Sequence, residues 1–347
     1  MADRYWRGGT ANWDGTAGSK WAATAGGPTG ASVPTTADDV FFDATSSGTC
    51  TIATGNTGAK SINCTGFTGT IAGSAAITVA GSVTLVAGMT YTHTGTVTLT
   101  GTGTLTTAGN AFSAVTVNGS GITVTLGDAL NTGARIITVT QGAFDAAGYS
   151  VTAIRFLSSN SNVRTITMGS GLWTISGASV VWTTANTANL TFNKDTADIL
   201  LSNTTTNVRE FSGGGLTFNK LTIGGATGTS TTGFTGATSF SELASIKTVA
   251  HTVRFSANLG TIDTWSITGS AGNVVTVNSN LAGTQRNFNL TNVTSGIDYL
   301  SVTDIAVNQA NRFYVGANST DGGNNSNVIF TAAPAPSGNT GAFFSIL

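Results

Sequence analysis

Six carboxylates stand where acid chemistry could be done: Asp195 and Asp198, Glu210, Glu242, and Asp298 with Asp304. Cleaving a glycosidic bond needs two carboxyl groups held roughly 5–9.5 Å apart across a groove. Asp195-Thr196-Ala197-Asp198 follows Asn193-Lys194 and reads as a turn, because Asp side chains close turns onto their own backbone. Glu210 adjoins Arg209 and reads as half of a surface ion pair. The two histidines, His93 and His251, are far apart and neither has an acid nearby, so no serine–histidine–acid triad assembles from the text. His93 shares its alternation with Tyr91, as an outward polar residue or a satisfied wall position. The glycines punctuate strands and open no helix, which removes phosphate-loop and dinucleotide fingerprints. Asn318-Ser319-Thr320-Asp321-Gly322-Gly323-Asn324-Asn325 offers oxygen ligands for calcium, but with a single carboxylate it reads as a closing turn. Cys50 and Cys64 are too few for a disulfide framework; their offset could stack them in neighbouring turns as a buried thiol pair. No catalytic residue, metal site or cofactor is assigned.

The elements that would hold such residues are strands. Charged residues make up 8% of the chain, against about 25% in an ordinary soluble domain. The balance of 14 basic and 15 acidic residues argues against nucleic acid or an anionic membrane as partner. No stretch approaches the ~20 apolar residues of a spanning helix. Threonine, a β-branched strand former, supplies roughly a fifth of the residues. With 46 glycines against 4 prolines, glycine makes most of the turns. The 40% of hydrophobic residues alternate regularly, which separates this chain from a disordered Gly/Ser/Thr-rich one. The opening Met1-Ala2-Asp3-Arg4-Tyr5-Trp6 has no basic or apolar region of a secretory signal, so export by lysis of a host, or a signal already removed, is expected.

Three segments follow. Residues 1–45 carry Trp6, Trp13 and Trp21 and end in Asp38-Asp39-Val40-Phe41-Phe42-Asp43. Trp6, Trp13, Trp21, Phe41 and Phe42 are expected to plug the open end of a stacked β-structure, because an uncapped end invites aggregation. From 46 to 330 the text runs in short alternating stretches such as Ala76-Ile77-Thr78-Val79-Ala80 and Gly95-Thr96-Val97-Thr98-Leu99-Thr100-Gly101. Period two over three to six residues, punctuated by glycine, suits the faces of a coiling strand better than a sandwich. Phe112–Val117 and Phe218–Ile223 share a Phe-x-x-aliphatic-Thr-aliphatic pattern. Thr165-Ile166-Thr167-Met168 with Leu172–Gly177 is likewise echoed by Thr252-Val253-Arg254-Phe255 with Thr264–Gly269. Degenerate rungs of ~20 residues predict about twelve to fifteen turns and a rod of roughly 60–70 Å. The fold expected is all-β, a right-handed parallel β-helix with an N-terminal aromatic cap. Residues 331–347 read as an extended Pro-containing linker and an apolar tail, in which Phe343, Phe344, Ile346 and Leu347 dock on a partner.

The opening, Tyr5-Trp6-Arg7-Gly8-Gly9, Asn12-Trp13-Asp14, Lys20-Trp21, Pro34 and Asp39–Asp43, resembles the leading segment of β-solenoid surface proteins, among them autotransporter-type passengers and marine bacteriophage structural proteins. Gly127-Asp128, Asp145-Ala146-Ala147-Gly148-Tyr149 and Tyr299–Asp304 look like the phage-associated members. The resemblance implies a virion surface protein: a capsid decoration, head fibre or tail fibre. It would form homotrimers, contact other virion proteins and touch a host surface glycan. The long passenger and membrane barrel of an autotransporter are not in this text, which puts a secreted bacterial adhesin second. A polysaccharide depolymerase comes third.

Overall fold

The computed structural model describes residues 2–14, 18–53, 57–225, 227–308 and 312–335, and these form a right-handed parallel β-solenoid. Its strands stack in three columns. Face 1 runs Asp3–Trp6, Asp39–Phe41, Ser61–Asn63, Val83–Thr84 and Gly103–Thr106, through the second halves of Val115–Leu126 and Ile136–Asp145, to Arg164–Thr167 and Leu190–Asn193. Face 2 carries thirteen strands from Gly58–Ala59 to Thr320–Asp321. That number lies within the expected range of turns. Face 3 begins with Ala11–Trp13, Thr49–Ile52, Thr70–Gly73 and Thr90–Tyr91. Phe112 bridges it to a second run from Leu130–Asn131 to Ile305–Asn308, stacking on Tyr91 and donating its N–H to the Asn131 carbonyl.

Alternation explains the interior. On face 2, Ile77, Val97, Val115, Ile137, Phe156, Trp182, Phe211, Phe234 and Phe255 stand in one inward row. All are buried. The outward row beside them reads Gly58, Thr78, Thr98, Thr116, Thr138, Leu157, Thr183, Ser212 and Thr235. On face 2 rung length varies from 18 residues (Val97 to Val115) to 29 (Trp182 to Phe211), and the first turn of face 1 takes 36 (Asp3 to Asp39), because turns accept insertions that the stacked strands do not.

The repeated patterns are distributed by face. Val115–Val117 lies on face 2, but Leu221–Ile223 lies on face 3, so the shared Phe-x-x motif does not mark equivalent rungs. Each face asks for the same aliphatic-Thr-aliphatic text. Thr165–Thr167 belongs to face 1 and Thr252–Phe255 to face 2, although both lead to a Trp-bearing strand of face 3. The reason is a change of cross-section. Beyond Leu190–Asn193, face 1 has no further strand among the described residues, and the turns pass directly between faces 2 and 3 until Phe313–Tyr314 and Val328–Ile329 add a short separate pair at the C-terminal end.

The N-terminal end is closed by aromatic packing. Trp21 meets Trp6 and Trp13 edge-on, each at 5.1 Å between ring centroids, and Phe42 leans on Phe67 at 5.2 Å. Trp21–Ala22 pairs antiparallel with Tyr5–Trp6, covering the edge that the first strand would leave open. Phe41 lies outside this plug. Adjacent strand residues point to opposite sides, so with Phe42 buried, Phe41 stacks on Tyr5 at 4.7 Å on the outer surface. The segment is continuous with the body, since Asp39–Phe41 pairs with both Asp3–Trp6 and Ser61–Asn63.

Candidate functional site

The carboxylates singled out from the sequence are each engaged by donors. Asp195 adopts a left-handed turn (φ 45°) and accepts the Gly169 N–H from the rung below, while Asp198 accepts the Asn219 amide from the rung above. The two therefore fasten three rungs together. Glu242 pairs with Lys220 at 3.0 Å on face 3. Asp298 accepts the Tyr299 N–H and both the N–H and side-chain amide of Asn318. Asp304 accepts from the Gly283 N–H and the Asn324 amide. Glu210 does pair, but with Arg254 at 3.8 Å and not with its neighbour Arg209, which is fully buried on the other side of the strand.

The Asn318–Asn325 segment also closes rungs. Asp321 accepts the Gly323 N–H and the Asn325 amide, and Asn325 also donates to the Val302 carbonyl. Amide nitrogens thus face its carboxylate. Among the described residues no group of three His, Cys, Asp or Glu is placed to hold a metal ion.

His93 is a buried wall residue. Its Nδ1 lies 2.8 Å from Ser113 Oγ and its Nε2 2.8 Å from the Ala75 carbonyl oxygen, and burial lowers its pKa. His251, also buried and lowered by burial, bridges Ser245 Oγ and the Val249 carbonyl. Cys50 and Cys64 are buried free thiols whose pKa burial raises. They stand in different columns, yet near enough across the interior for Cys64 to add to the rise of the Cys50 thiol. Cys50 sits on face 3 between Ala11 and Ile71, whereas Cys64 follows the face 1 strand Ser61–Asn63.

Sequence reasoning missed the buried cations. Arg164 donates to the carbonyls of Asn162, Ser158, Asn186 and Ala188, tying successive corners together. Arg209 reaches the Leu201 and Gly224 carbonyls and the hydroxyls of Ser230 and Thr232; burial lowers its pKa to about 10. Lys247 donates to the Gly225 carbonyl at 2.7 Å, and burial together with Arg209 lowers its pKa to about 8. Alternation was the available signal: Arg209 and Phe211 share a parity, so Arg209 had to point inward.

The outward surface is the remaining place for recognition. Along face 1, Asp39, Ser61, Ser82, Thr104, Thr125, Asp145, Thr167 and Asn193 form one row, one residue per rung. Parallel strands repeat at ~4.8 Å, so this row is a regular line of hydroxyl, carboxylate and amide groups. Higher on the body, a groove of about 370 Å³ opens over Thr264, Ser266 and Thr268, walled by Asn292–Ile297. Asn292 donates to Thr264 Oγ1 at 3.1 Å, and Val293 stands exposed at the rim. Phe343, Phe344, Ile346 and Leu347 lie outside the described residues.

No known protein family matches the chain, and no curated protein or solved structure does either. Its geometry places it with the right-handed parallel β-solenoids.

Proposed function

We propose that this chain is a surface-exposed structural solenoid of a bacteriophage particle, whose outward polar rows hold extended host glycans by many weak contacts. The observation that carries the glycan contact is the face 1 row from Asp39 to Asn193: a rigid, periodic line of small polar groups on a body poor in charge. Single hydroxyl contacts are weak, and repetition along a rod and across copies turns them into useful avidity. The groove beside Thr264 adds a concave place for one sugar unit. The virion assignment rests on the resemblance of the opening segment and of Tyr299–Asp304. Homotrimers in contact with other virion proteins belong to the same reading, with no catalytic role and no cofactor.

Immunogold imaging of the source material tests it. Label on virus particles supports the virion component, and its position separates head from tail. Label confined to cell surfaces replaces it with the bacterial adhesin. Release of oligosaccharides from host glycan by purified protein would establish a depolymerase instead, with Asp195 and Glu210 the first acids to substitute.

A further inference from the structure

At the corner where the chain passes from face 3 to face 2, successive turns stack on the aligned residues Leu201, Ile223 and Ser245. Three basic side chains are buried there: Arg209, Lys247 and His251. Arg209 and Lys247 meet at the middle turn. Nη1 of Arg209 and Nζ of Lys247 both donate to the Gly224 carbonyl, at 3.3 and 3.4 Å, and Lys247 also donates to the Gly225 carbonyl at 2.7 Å. His251 follows on the same turn as Lys247 and is held by Ser245 Oγ and the Val249 carbonyl. Among the described residues no carboxylate pairs with Arg209 or Lys247. The acids of the adjoining strands lie in outward rows and are engaged there, Glu210 by Arg254 and Glu242 by Lys220. The Nε of Arg209 also lacks an acceptor. Other lysines are placed differently: Lys20, Lys60 and Lys220 stand 3.0–3.1 Å from Asp14, Asp39 and Glu242. Two cations buried this close together without a counterion are costly, and an anion between them would remove that cost.

We propose that Lys247 is a carbamylation site: its amine takes up carbon dioxide, and the resulting carbamate is the counterion that Arg209 lacks. The amine lone pair forms the N–C bond while one C=O electron pair of carbon dioxide moves onto oxygen. One N–H proton leaves to solvent, so a neutral amine becomes an anion and no further reactant is needed. Three features of the corner suit this step. The amine must be free of its extra proton, and burial together with the Arg209 charge favours that form, holding Lys247 at about 8. The reactant must be small and uncharged, because Lys247 is only 7% exposed. The product must be stabilised, and the Arg209 guanidinium on the shared Gly224 carbonyl supplies a charge-assisted hydrogen bond to a carboxylate. The carbamate nitrogen keeps one N–H. That is enough for the short bond to Gly225, and the longer one to Gly224 is given up. Carbamylation thus turns two like charges into an ion pair across stacked turns.

The test uses the full-length chain. It is equilibrated at pH 8 with 13C-labelled bicarbonate, whose dissolved carbon dioxide is the reactant, and trapped with a trialkyloxonium alkylating reagent. Peptide mass spectrometry should then find the labelled ester on Lys247. Label there should exceed that on Lys20, Lys60, Lys194 or Lys220 by on the order of tenfold, since only the neutral amine reacts. The melting temperature should be higher in bicarbonate than in chloride of equal ionic strength. Lys247→Arg keeps a cation that can donate to the same carbonyls but forms no carbamate, so it should lose both the label and the rise. A parent chain with no label on Lys247, or with equal label on the other lysines, overturns the proposal, and that result needs no variant to fold. A rise in melting temperature that persists in Lys247→Arg overturns the counterion role.

Discussion

Glu210 and Arg254 pair at 3.8 Å although two rungs separate them. Gly233 occupies the position between them in the same outward row, and its missing side chain lets the arginine reach across. Arg209, next to Glu210 in sequence, is on the opposite side of the strand. Proximity in this molecule is set by stacking.

Glycines in these rows therefore differ in kind. A Cβ on Gly233 meets nothing closer than 3.6 Å, whereas one on Gly101 would collide with the Ala80 carbonyl of the rung below. Gly233→Ala should leave stability within about 0.5 kcal/mol of the parent. Gly101→Ala should cost about 1–3 kcal/mol, as overpacking does. Chemical denaturation of the two variants side by side checks the contrast.

The aromatic row on face 2 is the energetic spine of the middle of the body. Trp182 stacks on Phe156 at 4.5 Å and on Phe211 at 5.5 Å, and meets Trp173 and Phe218 edge-on. Trp182→Ala should destabilise the chain by about 3–5 kcal/mol, read from the urea midpoint. Trp182→Phe should recover most of that loss.

The N-terminal end should be the acid-labile part. Burial alone would raise the Asp43 carboxyl, but hydrogen bonds from Arg7 and Thr45 prevail and hold it at about 2. A folded pKa below the unfolded ~3.8 gives stability that is present above 3.8 and lost as pH falls through 2. Asp43→Asn should lower the melting temperature at pH 6 and flatten its fall between pH 4 and 2.

Histidine works at milder pH with the same sign. Burial lowers His93 and His251, so between their folded values and the unfolded ~6.5 the unfolded chain binds more protons. Stability should decline as pH drops below about 6.5, and His93→Gln should reduce that decline. Titration by ring-proton NMR should place both histidines below the free value.

Lys247 extends the rise into the alkaline range. Its folded value of about 8 lies below the unfolded ~10.4, so stability should increase between those limits. Lys247→Met should remove that increase, as measured by urea midpoints at pH 7.5 and 10. An equal slope in parent and variant would assign the dependence elsewhere.

The sequence by itself determined that this chain is built of short half-buried strands. Val97-Thr98-Leu99 and Ile77-Thr78-Val79 can hide one face and show the other only as strands, and glycine marks their ends. It also placed aromatic mass at the N-terminal end, because Trp6, Trp13 and Trp21 exceed what a polar opening can leave in water. The tertiary structure alone decided which strand lies on which of three columns, since every column demands the same alternating text. It decided that Phe41 faces out and Phe42 in, that Glu210 finds Arg254, and that Cys50 and Cys64 stand in separate columns. It also decided where face 1 ends. Rungs of 18 to 36 residues shift the register between turns, and only the hydrogen-bonded pairing of each strand with the one below fixes which residues become neighbours.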